Sequence, residues 1–258
     1  MTPTRRGEHH LRVAMITSVL IAGLVLTSCG GFARRTASTA TVTDPVNKAA
    51  VVVQVGASPI TGAMYDHWMA IGAATVEMPA PGGPVPKPVA YEPPTFSACV
   101  AHTHASATKS TTTAQLKAKC KKTYEGIQSR ILDFLITGYW LRGEAAEQHA
   151  SVSQAEVRKK FEEERRANYS TAASFRRLQE VSRQTVPDLT FAVETRMLSA
   201  KLLEKFTKTH SHEKSDQATI AAFNRSIRSK WVPRTDCAPT YVVPDCKQYR
   251  AAKGPASR

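Results

Sequence analysis

Thr113 to His149 constrains this chain more than any other stretch. It reads TAQLKAKCKKTYEGIQSRILDFLITGYWLRGEAAEQH, with apolar or half-apolar residues at Leu116, Cys120, Tyr124, Ile127, Ile131, Phe134, Leu135 and Leu141. Steps of three and four put them on one stripe of an α-helix, and no proline interrupts it. At 1.5 Å per residue such a helix is about 55 Å long. That exceeds what a small core needs, so the stretch is expected to be a spine on which shorter elements pack, leaving apolar surface uncovered. Gly126, Gly138 and Gly143 each cost about 1 kcal/mol relative to alanine, which predicts a kink or break near Gly138–Gly143.

The 258 residues carry a formal charge of +14. Arg5, Arg6 and Arg12 form a positive start, and Val13 to Leu26 is a predominantly apolar run, too short for a comfortable membrane span but right for a signal segment. The run ends in Leu26-Thr27-Ser28-Cys29, which looks like a bacterial lipoprotein box. Residues 1–28 are then a signal peptide, and Cys29 is acylated and tethers the protein to the cell membrane on its extracytoplasmic face. The alternatives are an ordinary signal peptide or an uncleaved anchor; Gly7-Glu8-His9 fits a twin-arginine signal poorly. Residues 29–49, rich in Ser, Thr, Ala and Gly, read as a flexible tether, and 250–258 as a basic tail.

In an oxidising compartment four cysteines remain, and four allow three pairings. Proximity favours Cys99–Cys120 and Cys237–Cys246. Zinc is the rival reading, but there is no C-x-x-C. Between these landmarks Ala50–Val55 is a strand, Gly56-Ala57-Ser58-Pro59 a turn, and Thr61 the cap of a helix over 62–74. Residues 78–94 hold seven of the 15 prolines and form a long loop. Thr95–Ala105 forms a short helix carrying Cys99. Ser153-Gln154-Ala155-Glu156 is a capping box that opens a helix with Val157 and Phe161 inward and Glu162/Arg166 paired. Helices follow over 172–182, from Pro187 to about Lys208, and from Ser215 with Ile220, Phe223, Ile227 and Trp231 inward. The fold class is mainly α, one domain over 50–249, with at most a small two-stranded pairing of Val51–Val55 with Tyr241–Val243.

A strand, then Val55-Gly56-Ala57-Ser58-Pro59-Ile60-Thr61, then an amphipathic helix resembles the opening of the SurA/PrsA foldase family. Val152–Val157, the helix from Pro187, and Lys230-Trp231 through Cys246 are similar to later parts of it. The resemblance implies a SurA N-terminal-like chaperone domain. Such foldases carry a parvulin isomerase domain before the last helix, but here only Thr209–Lys214 lies there. The resemblance therefore implies a lipid-anchored holdase for unfolded or newly exported polypeptides, not an enzyme and without cofactor. The alternatives are a peptidyl-prolyl isomerase or a non-catalytic envelope scaffold.

Met64, Trp68, Met69, Tyr139, Trp140 and Met197 are the candidate client-binding residues, because methionine and aromatic side chains suit a promiscuous groove; the bland reading is that they are core. His102-x-His104 and His210-x-His212-Glu213 could ligate a metal only outside helices, so they read as solvated and no metal site is assigned. Lys117, Lys119, Lys121 and Lys122 read as a solvated face, and the compartment argues against nucleic acid.

Overall fold

The helix α3 runs unbroken over Thr113–Glu147, 35 residues. Its first turn is closed by a capping box, in which Thr112 accepts from the Gln115 amide while the Gln115 side chain accepts from the Thr112 amide. The expected break at Gly138–Gly143 is absent, and the glycines have another use. A Cβ at Gly138 would lie 2.6 Å from the Phe191 ring, and one at Gly143 2.2 Å from the Trp231 ring. They let two aromatic residues press against the helix backbone, an approach that offsets their poor helix propensity.

The structure is a computed structural model describing residues 50–76, 78–79, 83–105, 110–210 and 215–250. These fall within one compact unit, Asp44–Ala251. Among them are β1 (Val51–Val55), β2 (Ser58–Thr61), α1 (Gly62–Val76), α2 (Ser97–His104), α3, α4 (Gln154–Asn168), α5 (Ala172–Ser182), α6 (Val186–Thr209), α7 (Asp216–Trp231) and β3 (Thr235–Cys237). The fold is mainly α, as the periodicity predicts. Cys29, the leader, the tether and most of the basic tail lie outside the described residues.

The β part differs from expectation. It is a three-stranded antiparallel sheet in the order β2-β1-β3, not a two-stranded pair. Only Gly56 and Ala57 form the turn; Gly56 takes φ +54° and Ala57 stays at negative φ, a demand that glycine at the first turn position meets without strain. Ser58–Thr61 then pairs back, Ile60 opposite Val53. On the other side Val53, Gln54 and Val55 face Cys237, Asp236 and Thr235. The expected partner, Tyr241–Val243, is not a strand: Pro239–Tyr241 is a turn of 3-10 helix, since Pro239 has no N–H to donate to a ladder.

The main core joins this sheet to α1, α3, α6 and α7, with Val53, Ile60, Leu132, Ile136 and Leu202 almost fully enclosed. Trp231 closes it at the end of α7, its indole N–H donating to Glu144 Oε2 at 2.7 Å. Burial pushes the Glu144 carboxyl up, but hydrogen bonds from Lys230, Trp231 and Gln148 outweigh it and hold the group below the ordinary carboxylate range. Both expected disulfides are present, with Cα–Cα distances of 5.9 Å for Cys99–Cys120 and 5.7 Å for Cys237–Cys246. The first ties α2 to α3 around a small cluster with Val89 and Phe96. Two finer expectations fail. Ile220 lies 38% exposed instead of inward. Glu162 pairs with Arg165, at 2.8 Å, instead of Arg166, because the shorter i,i+3 reach already meets its carboxylate.

Candidate functional site

The residues expected to line a client groove do not form one. Trp68 is 6% exposed and Trp140 3% exposed. Trp68 lies among Phe134 and Phe191, ring centroids 4.8 and 6.0 Å away. Trp140 is covered by β3, and its indole N–H donates to Thr235 Oγ1 at 2.7 Å. Met64 is half-buried and its sulfur accepts from the Tyr139 hydroxyl at 3.6 Å; Met69 packs on the main core and Met197 on a separate cluster around Val157, Phe161 and Val193. The helical pattern correctly marked these faces as apolar, but other elements cover the two tryptophans. The groove around Trp68 and Trp140 is thereby excluded.

The other candidates are on the surface. His102 and His104 are exposed in the last turn of α2, His210 stacks on Phe206 at 3.9 Å, and His212 and Glu213 lie outside the described residues. Lys117, Lys119, Lys121 and Lys122 are exposed, with Lys121 reaching Glu125 at 3.8 Å. Among the described residues no group of three or more His, Cys, Asp and Glu side chains could hold a metal ion, and no helix is long and apolar enough to cross a membrane.

A different concavity is present. A cleft of about 450 Å³ opens between α3, α4 and α6. It arises because α4 packs on α6 through Val157, Phe161 and Val193, while the 148–153 turn carries α4 away from the end of α3. That turn is held to α6 by Lys205 Nζ donating to the Gln148 carbonyl at 2.6 Å and Lys201 Nζ to the Ser151 carbonyl at 3.1 Å. The floor is apolar, from Phe161 on α4 and Val186, Pro187 and Phe191 on α6. Val186 stands 42% exposed because it begins α6, after the Thr185 cap, with no element beyond it.

The rim is charged and mostly paired. Arg142 donates through Nε at 3.1 Å and Nη2 at 2.6 Å to the two oxygens of Glu194, and its guanidinium lies 4.6 Å from the Phe191 ring centroid. This forked pair fixes both side chains and the ring below them. Glu162 is taken by Arg165. Arg158, exposed on α4 at the mouth, has no ion pair or hydrogen bond among the described residues. Nothing here is arranged as nucleophile and base. The cleft offers an apolar floor, a rigid wall and one uncommitted cation.

No family model, curated protein or solved structure matches this chain. The likeness to SurA/PrsA foldases therefore stands on its short sequence motifs alone.

One buried acid titrates near neutrality. Asp245, beside Cys246, is 2% exposed and accepts from Arg228. Burial first, then the neighbouring Asp133 carboxyl hydrogen-bonded to it, push Asp245 up to about 7 against the pull of Arg228. Because the folded value lies above the unfolded one, folding is favoured fully below pH ~4 and that contribution is lost as pH rises through about 7. Unfolding free energy should fall as pH rises from about 4 to about 7 and level off above that, and Asp245→Asn should flatten the fall. An equally steep profile in the Asn variant would assign the slope to other groups. Asp245 is not among the residues that line the α3–α4–α6 cleft.

Proposed function

We propose that this protein is a lipid-anchored, extracytoplasmic holdase that binds apolar segments of unfolded or newly exported polypeptides without chemistry of its own, and that it holds them in the α3–α4–α6 cleft. The observation that carries this reading is the apolar floor of the cleft, where exposed Val186 and Pro187 lie beside half-buried Phe191 and buried Phe161. Its volume is in the range of about 300–1,000 Å³ that fits a few side chains of a ligand. The lipoprotein box, two disulfides of the kind found in oxidising compartments, and the SurA/PrsA-like motifs support the same reading.

The protein should slow aggregation of a chemically denatured client at several-fold excess. Val186→Asp places a carboxylate on the floor at an exposed first-turn position, where it is benign for the helix. It should weaken the suppression about tenfold, since burying an unpaired charge against the client costs more than 1.4 kcal/mol, and leave the melting temperature unchanged. Full suppression by the variant would remove the cleft from the reading; no suppression by the unmodified protein would remove the reading itself.

A further inference from the structure

The rim of the cleft distinguishes one cation from the rest. Arg142 is spent twice, on both oxygens of Glu194 and on the face of Phe191. Glu162, the other carboxylate of the lining, is neutralised by Arg165 through two nitrogens, at 3.0 and 2.8 Å. Of the lining charges, Arg158 alone remains without an ion pair among the described residues. It sits on α4 near Phe161, three residues further on, so both face the cleft from one helix face. A long guanidinium at the edge of an apolar floor presents five donors to whatever lies on that floor. A segment that fills the floor with apolar side chains and carries a carboxylate next to them would satisfy both parts. A lysine or arginine there would meet Arg158 and the engaged Arg142.

We propose that Arg158 makes the cleft selective for apolar segments bearing an adjacent carboxylate. This rests on reading the cleft as the site where clients are held. The carboxylate comes from an acidic side chain or from a chain terminus, which offer the same forked acceptor.

Calorimetric titration of the full protein with four acetylated peptides separates the possibilities. Each carries Ser-Ala-Leu-Phe-Val followed by Glu, Gln or Lys as the amide, and the fourth ends in Gln as the free acid. The Glu amide should bind about fivefold more tightly than the Gln amide, as a partly exposed ion pair provides, and the Lys amide more weakly than either. The advantage should shrink in 0.5 M salt. A gain shown by the free acid alone assigns the carboxylate to a chain terminus. Arg158→Gln should abolish the preference for the Glu amide over the Gln amide. Equal binding of the Glu and Gln amides and the Gln free acid, or a preference that survives in Arg158→Gln, overturns the assignment while the client-holding reading stands. Failure of all four to bind overturns both.

Discussion

Trp231→Ala is expected to cost about 3–5 kcal/mol, the range for removing a buried tryptophan. Trp231 is 5% exposed and occupies the junction of α7, α3 and the hairpin. Its ring edge lies against Gly143, and Gly56 is close enough that an added Cβ would touch it at 3.4 Å. Those two positions hold no side chain able to swing into the space, so nothing fills the cavity from those two sides. Deletion also removes the indole N–H from Glu144, a buried carboxylate whose remaining donors are Lys230 at 2.7 Å and Gln148 at 2.6 Å. Trp231→Phe separates the two contributions. It keeps most of the ring and loses the donor, so it should cost about 1–3 kcal/mol. Denaturant midpoints of the three proteins test this. A loss under about 1 kcal/mol in Trp231→Ala would mean the junction contributes little to the core.

Paired Cys237→Ser and Cys246→Ser should lower stability by about 3 kcal/mol, the chain-entropy value for a loop with a sequence separation of 9. More than entropy is at stake. Cys237 is the last residue of β3 and pairs with Val53. The segment after the bridge covers the outer edge of β3: the Lys247 amide donates to the Thr235 carbonyl at 2.8 Å, and Gln248 Oε1 accepts from the Cys237 amide at 3.1 Å. Without the bridge this cover comes loose and β3 loses its outer partners. Amide exchange at Gly56 and Ala238, whose N–H groups donate across the β1–β3 pair to the Arg234 and Val52 carbonyls, should speed up in this variant. In Cys99→Ser with Cys120→Ser it should not, because that bridge serves the separate cluster of Val89 and Phe96. Unchanged exchange in the first variant would show that β3 holds without its clamp.

How much of this was legible depends on whether an element reports on itself or on its neighbours. The long helix is self-reporting: an uninterrupted stripe and a capping sequence decide it locally. So are the caps of α4 and α6, where Ser153 and Thr185 accept from the third residue on. The disulfide pairing was recoverable because each bridge is short in sequence. The third strand was not. Thr235-Asp236-Cys237 is three residues with an aspartate at its centre, whereas Tyr241-Val242-Val243 looks more like a strand and is disqualified by its prolines. The fate of Trp68 and Trp140 was equally hidden. Periodicity says which side of a helix is apolar, but Phe191 and Thr235, which cover them, lie far along the chain. The cleft is assembled from Arg142, Arg158 and Val186 on three helices, and no spacing in the sequence joins them.

The central place of β1 in its sheet sets an order of events. The hairpin of β1 and β2 can close as soon as those few residues exist, yet its second edge waits for β3, the last strand among the described residues. A polypeptide emerging from a ribosome or a translocation pore presents that unpaired edge throughout the passage of α1 to α7. Exposed ladder groups invite pairing with other chains, and contacts so distant in sequence form slowly. Any truncation ahead of Thr235 makes that vulnerable interval permanent.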